Sequence, residues 1–226
     1  MRRAPVLAEH AAPAAGWLDT PVGPVGISLG MEQPGVPALV RLFRPRPTAV
    51  GIFGSAVLAR LLAVRALGAG AEVCVLTPHP APWAALLPLA PSSAPWITLL
   101  PPGSAVPASG TGRLPWLLID EADPGAAPAR HEPGPWQAVV TVQPPLAPNL
   151  VGSVRGYDLL MLQGVASQAV EPLRAATGIS ERSAKWLSRM PDDVVALIAG
   201  AEARYAVMAP TPAEQAALGL SGATRR

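Results

Sequence analysis

Residues 48–77, TAVGIFGSAVLARLLAVRALGAGAEVCVLT, constrain the fold of this chain more than any other stretch. They read as strand, tight turn, helix, glycine stop and strand. The apolar run 49–53 has strand length, and Gly54 and Ser55 follow as turn and N-cap. From there Leu58, Leu61, Leu62 and Leu67 recur at helical spacing until Gly68 and Gly70 supply a stop. Residues 73–76 then form a second apolar run of the kind found in strands buried on both faces. Two strands joined by a crossover helix favour a parallel pair with a right-handed connection. This predicts an α/β core, with Leu61, Leu62 and Cys74 buried between the helix and the sheet.

The turn decides which chemistry the core could host. A strand–turn–helix unit presents backbone N–H groups at the helix N-terminus, where phosphates bind. The phosphate-loop pattern G-x-x-x-x-G-K-[ST] is not met by Gly51-Ile-Phe-Gly54-Ser55, which is too short and has no lysine. The chain holds one lysine, Lys185, far beyond the turn. The dinucleotide pattern G-x-G-x-x-G also fails, because only Gly51 and Gly54 are present. The two glycines therefore read as letting the strand turn tightly and the helix pack close, and the expectation is that no cofactor binds.

Composition narrows the class further. At 226 residues the chain is long enough for a substantial core. It is 50% hydrophobic but only 14% charged, against roughly 25% in ordinary soluble domains. The net charge of +2 is spread thinly apart from one cluster, Arg41, Arg44 and Arg46. With no basic face interleaved with aromatics, nucleic acid is not an expected partner. Arg60, Arg65 and Glu72 break the longest apolar stretch, so no direct membrane span is expected. A lone cysteine, Cys74, fits a reducing compartment and reads as a small buried hydrophobe. These features point to a cytoplasmic protein.

Along the chain, residues 1–19 are rich in Ala and Pro and read as a flexible arm. Runs 22–29 and 36–43 read as an antiparallel β-unit beside the core, followed by the stiff connector 44–47. Beyond the central unit, strands are expected at 96–100, 114–119, 137–142 and 157–162, with a short helix at 83–87. Helices at 168–176 and 180–190, broken at Gly178, precede a closing hairpin, 194–199 with 203–208. Thr211 can cap a last helix with Pro212 at its first position. The predicted fold is α/β: a mostly parallel central sheet with flanking helices, an N-terminal β-unit and a C-terminal helix-plus-hairpin element. Residues 20–218 form the single domain and 219–226 a flexible tail.

No constellation reads as an active site. Leu117-Leu-Ile-Asp120-Glu121 has the shape of a Walker B strand, in which the first acid holds Mg²⁺ and the second orients water. Without a phosphate loop or partner lysine it reads as carboxylates ending a strand towards solvent. His79 lies between two prolines and reads as an exposed turn residue; His10 and His131 fall in loops. Three isolated histidines and one cysteine have no metal-ligand spacing, and Cys74 has no base partner. No catalytic, cofactor-binding or metal residue is assigned. The candidate site is a protein interface at Arg41, Arg44 and Arg46. Strand alternation would set Arg44 and Arg46 on one face with Leu42, and their guanidinium groups suit carboxylates of an acidic neighbour.

Two blocks carry a resemblance. Pro21-Val-Gly-Pro-Val-Gly-Ile27, Val50-Gly-Ile-Phe-Gly54 and the segment 61–75, through Gly68-Ala-Gly-Ala-Glu-Val-Cys74, are similar to the cytoplasmic C-terminal part of EccE, a component of the ESX (type VII) secretion membrane complex. Asp158-Leu-Leu-Met-Leu-Gln163 and Arg204-Tyr-Ala-Val-Met-Ala-Pro-Thr-Pro-Ala-Glu214 resemble the end of EccE-like proteins, and also the tails of VirB4/FtsK-type translocation ATPases. EccE proteins begin with transmembrane helices, which this chain departs from. The EccE resemblance implies a non-enzymatic accessory domain that meets protein components of a secretion membrane complex, peripheral to the inner face of the cell membrane through those partners. The VirB4/FtsK resemblance implies a degenerate P-loop domain that retains nucleotide binding or regulates a translocation ATPase.

Overall fold

The structure, a computed structural model, describes residues 26–33, 35–89, 97–106, 110–111, 114–121 and 132–220. The arm 1–19, residues 22–25 of the first expected strand, Trp96, His10, His131 and tail residues 221–226 lie outside them.

The chain forms β1 (Ile27–Gln33), β2 (Val36–Val40), β3 (Thr48–Phe53), α1 (Ala56–Gly68), β4 (Glu72–Leu76), the short α2 (Ala81–Ala84), β5 (Ile97–Leu100), β6 (Trp116–Asp120) and β7 (Gln137–Gln143). A 3-10 segment, Pro148–Gly156, leads to β8 (Leu159–Leu162), α3 (Ser167–Thr177), α4 (Glu181–Leu187), the hairpin β9 (Val194–Ala199) and β10 (Glu202–Met208), and α5 (Pro212–Ala217). All ten strands join one sheet in the order β2-β1-β10-β9-β8-β3-β7-β6-β4-β5. The six strands from β8 to β5 are parallel, and β9, β10, β1 and β2 extend the sheet as an antiparallel wing. This is the mixed α/β sheet expected from the pattern. One expectation fails: β3 and β4 are parallel but not paired, because β7 and β6 lie between them. Two strands made later in the chain fill the gap that α1 spans.

The turn signals act as written. Ser55 caps α1, accepting from the Val57 N–H at 3.1 Å, and Thr211 with Glu214 completes a reciprocal capping box on α5. Gly178 ends α3 in the left-handed conformation, φ 77°, where glycine carries no Cβ penalty.

Helices cover both faces of the sheet. On one face α1 buries Leu58, Leu61, Leu62 and Leu67 against Val50, Ile52, Val73 and Val75, joined by Trp83 and Leu218. On the other, α3, α4 and the 3-10 segment bury Phe53, Leu160, Leu162, Leu173 and Leu187. Cys74 is buried, but with Leu76, Trp116 and Leu118 in a separate small cluster rather than under α1. Strand alternation explains the correction, since Val73 and Val75 take the α1 face and Cys74 must point away.

The wing is tied to the rest by a charged clamp. Arg65 in α1 is 4% exposed and Glu214 in α5 is 1% exposed. Arg65 Nε and Nη2 donate to the two Glu214 oxygens at 2.7 and 2.9 Å, and its Nη1 and Nη2 also donate to Ser28 O and Ala209 O at 2.6 and 2.9 Å. Glu214 Oε2 accepts the Thr211 N–H at 2.7 Å as well. One guanidinium thus joins α1, β1, the chain after β10 and α5. A buried pair satisfied this fully is tolerated in a dry core, and losing either partner would strand a charge there.

Candidate functional site: the crevice at the carboxyl ends of the parallel strands

In open parallel sheets ligands bind outside the carboxyl ends of the strands, where successive connections leave in opposite directions. Here that point is the end of β3. The chain goes from β3 through α1 to β4 on one side, and later crosses from β7 to β8 on the other side of β3. The crevice mouth is formed by Gly54 and Ser55 after β3, Gln143 ending β7, Gln163 after β8, and Asp120 and Glu121 at the end of β6.

The turn after β3 is closed. The strand ends at Phe53 and the helix begins at Ala56, so only Gly54 and Ser55 connect them. The Gly54 N–H donates to Gln143 O at 3.0 Å, and Gln163 N–H donates to Phe53 O at 2.8 Å. Gly54 has φ +148°, and a Cβ on it would lie 2.8 Å from the Gln163 Cβ and 2.9 Å from its carbonyl oxygen. In the first turn of α1, the Val57 and Leu58 N–H groups are taken by Ser55 Oγ and O. A nucleotide's phosphates need a loop of backbone donors and a lysine; these residues do not fit them. Gly51 has another task than close helix packing. A Cβ there would meet the Tyr157 ring at 2.7 Å, so its bare Cα seats Tyr157 edge-on to Phe53 on the face away from α1.

The paired carboxylates are also committed. The sequence expectation that both end in solvent fails for Asp120, while Glu121 is half-buried. Asp120 is buried, 6% exposed. Glu121 Oε2 accepts from Thr77 Oγ1 at 2.6 Å and Trp83 Nε1 at 2.8 Å, and Thr77 Oγ1 accepts in turn from the His79 N–H. Glu121 therefore pins the loop after β4 and the Trp83 indole beneath it. Gln163 donates weakly from Nε2 to Asp192 O at 3.4 Å, while its Oε1 is buried with no protein hydrogen bond. His79 is exposed, as its flanking prolines suggested. Among the described residues no three His, Cys, Asp or Glu side chains are grouped to hold a metal ion.

The arginine cluster lies at the opposite end of the strands. Residues 41–47 are not strand, because pairing ends at Val40, so strict alternation does not apply; Leu42 is buried. Arg44 and Arg46 nevertheless converge on Asp158, just before β8, at 3.4 and 3.8 Å, and Arg44 Nε donates to Thr48 Oγ1 at 2.9 Å. Asp158 also accepts the Ala49 N–H at 2.9 Å. Arg41 and Arg46 are exposed.

Sequence reasoning passed over a third group, on α4. Trp186 is 45% exposed and its indole stacks on Tyr205 of β10, centroids 5.2 Å apart. Arg182, Lys185 and Arg189 surround it. Their spacing was the available signal: residues 182, 185 and 186 share one side of a helix, and Arg189 follows in the turn after it.

Among solved structures the chain has fold-level neighbours. The solved structure of VirB4 of Thermoanaerobacter pseudethanolicus superposes with a TM-score of 0.57, over 85% of this chain and 99% of that one, at 9% identity. Its fold resembles that of VirB4. The DNA-packaging ATPase B204 of Sulfolobus turreted icosahedral virus gives a TM-score of 0.43 at 10% identity, over 73% of this chain and 98% of that one. The genome packaging NTPase B204 of Sulfolobus turreted icosahedral virus 2, in complex with AMP, gives 0.44 at 10% identity, over 75% and 100%. No protein-family model and no curated protein sequence matches the chain.

Proposed function

We propose that this chain is a P-loop-ATPase-like domain without catalytic function, which regulates or scaffolds a translocation machine through protein–protein contacts. One observation carries the reading: the two-residue turn between β3 and α1, closed by Gln143, Gln163 and the Ser55 cap where a phosphate loop would stand. The engagement of Glu121 by Thr77 and Trp83 supports it, because a carboxylate holding two donors on one oxygen is not poised to orient water. The VirB4-like fold supports the link to translocation. The finer assignment is to the ESX (type VII) secretion apparatus, on the EccE resemblance of the segments around Gly51 and Cys74. In that setting the domain is cytoplasmic and reaches the membrane through its partners; no described helix is long and apolar enough to cross one.

Isothermal titration of the purified protein with Mg-ATP tests the first part. No heat of binding is expected, and a micromolar dissociation constant would overturn the reading of a closed, nucleotide-free turn in favour of a degenerate domain that retains nucleotide. Affinity purification from the native cell tests the second. Recovery of ESX components is expected, and recovery of a translocation ATPase from another system in their place would remove the ESX assignment.

A further inference from the structure

The outer face of α4 goes unused by the reading above, yet it is built more firmly than a surface helix requires. α4 is fixed at its start by Ser180, whose Oγ accepts the Ser183 N–H at 3.1 Å. From across the sheet Tyr205 donates its hydroxyl to Ser183 O at 2.8 Å. Ala184 and Leu187 are buried beneath the helix. The opposite side presents Arg182, Lys185 and Trp186, with Glu181 at the helix start and Arg189 in the turn after it, around an open depression of about 670 Å³. At 1.5 Å rise per residue the helical part of that stripe, Arg182 to Trp186, spans about 6 Å.

Three properties of the stripe identify what it suits. Trp186 keeps nearly half its surface in water while one ring face rests on Tyr205, so its rotamer is held before anything binds. An ordered aromatic anchor loses little entropy on association, and Trp, Tyr and Arg are the residues that dominate binding energy at protein interfaces. The charges are complementary to carboxylates. Lys185 already holds the Glu181 carboxylate at 2.6 Å, which keeps Glu181 below the usual carboxylate range. Arg182 and Arg189 make no ion pair among the described residues. The charge is also discontinuous: Glu181 lies within the stripe, Glu171 is bound to Arg174 on α3 beside it, and Asp192 is exposed beyond Arg189. A phosphate backbone carries negative charge at every step and would meet these carboxylates, whereas a peptide can set its acids against the arginines alone.

We propose that the α4 face is a docking site for an acidic peptide segment of a partner protein. The partner's carboxylates pair with Arg182 and Arg189, and an apolar side chain of the same segment packs on the exposed part of Trp186. The site lies apart from the crevice at β3, and it holds whether or not a nucleotide binds there.

The test uses the full chain and a short fluorescein-labelled peptide rich in Glu and Asp with one central Leu, followed by fluorescence anisotropy. Saturable binding is expected, weakening as salt is raised. Arg182→Glu with Arg189→Glu should weaken it about tenfold or more, as should Trp186→Ala, while Trp186→Phe, which keeps an aromatic on Tyr205, should recover part of the loss. The two arginines are exposed, so the double variant should melt with the wild type and isolate the surface from the fold. Peptide binding that neither change alters would overturn the site. So would tighter binding of a thymidine oligonucleotide or of phosphatidylserine vesicles, lost in the same double variant, since that would assign the face to nucleic acid or to membrane. ATP binding in the titration above would leave this outcome untouched, and the failure of either proposal can be told from the failure of the other.

Discussion

In the parallel half of the sheet β4, β6 and β8 are buried almost from end to end, whereas in the antiparallel wing β2 and β10 leave many of their side chains in water. Met31, Val36 and Val207 are among the large apolar residues exposed there. Strands β4, β6 and β8 read as continuous apolar runs, so burial alone fixes their place. Only β9 of the wing is buried almost throughout; the outer strands β1 and β2 have α1 over one face and less burial to hold them. Its position is set by polar geometry: the Arg65–Glu214 clamp and Arg204, which donates to Glu32 and to Leu39 O at 2.8 and 3.0 Å. Glutamates in the two halves show the same contrast. Glu214 positions a structure that burial leaves loose, while Glu121 sits where chemistry could happen and is spent on holding a loop.

The contrast breaks most sharply at the clamp. Arg65→Ala or Glu214→Ala should each cost about 3–5 kcal/mol, because the partner is left charged and buried. Urea unfolding measures it, and a loss under about 1 kcal/mol would mean the wing is held by apolar packing after all. On the parallel side Leu61→Ala should cost about 2–5 kcal/mol through lost packing and the cavity left behind. An unfolding midpoint equal to the wild type's would show α1 packing on a different face. Glu121→Ala should cost about 1–3 kcal/mol by stranding Thr77 and Trp83. It should also alter the Trp83 contribution to fluorescence, and an unchanged spectrum would show the indole is held by something else.

Smaller effects sharpen the comparison. Burial pushes the Cys74 thiol up to about 11 from 9.0, so it stays neutral in the native state where the unfolded chain ionises. Its contribution to stability is full below pH 9 and falls as pH rises from 9 towards 11. A Cys74→Ala variant should show a shallower loss over that window in thermal melts; identical slopes would remove Cys74 as the cause. The smallest change in stability is expected for Arg41→Glu with Arg46→Glu, since exposed charges contribute about 0–1 kcal/mol. If the arginine edge docks to an acidic neighbour, this variant should lose co-purification with secretion-complex proteins. Wild-type recovery at low salt would show that docking lies elsewhere.

The parallel half was legible because its signals are local. Period, cap and glycine stop all fall within residues 48–77, and α1 and β4 formed where they point. Thr211 and Pro212 announced α5 in the same way. The clamp was not legible. Arg65 reads from sequence as a break in an apolar run, and its partner lies 149 residues away with no local trace of the contact. Glu214 was hidden too, because its capping role already accounts for it. The strand order was lost for a related reason, since nothing in the β3–α1–β4 unit says that β6 and β7 will fill the space between. At the crevice the missing lysine was plain, but the commitment of Glu121 to a tryptophan 38 residues earlier was not.

The pairing of Gly30 with Met208 has a consequence for synthesis. As the chain leaves the ribosome, β1 and β2 precede the other described strands, yet β10, which attaches them to the sheet, follows all of these. Until β10 emerges, the hairpin lacks its pairing partner in the sheet, and α1 alone packs against β1. Arg65, meanwhile, lies on a helix whose counter-charge has not yet been translated. Strands β3 to β8 can assemble during elongation, but the nascent protein keeps an open, chaperone-accessible edge until β10 has emerged. Truncations ending before β10 should therefore be captured by holdases with the hairpin exposed, and those ending after α5 should not.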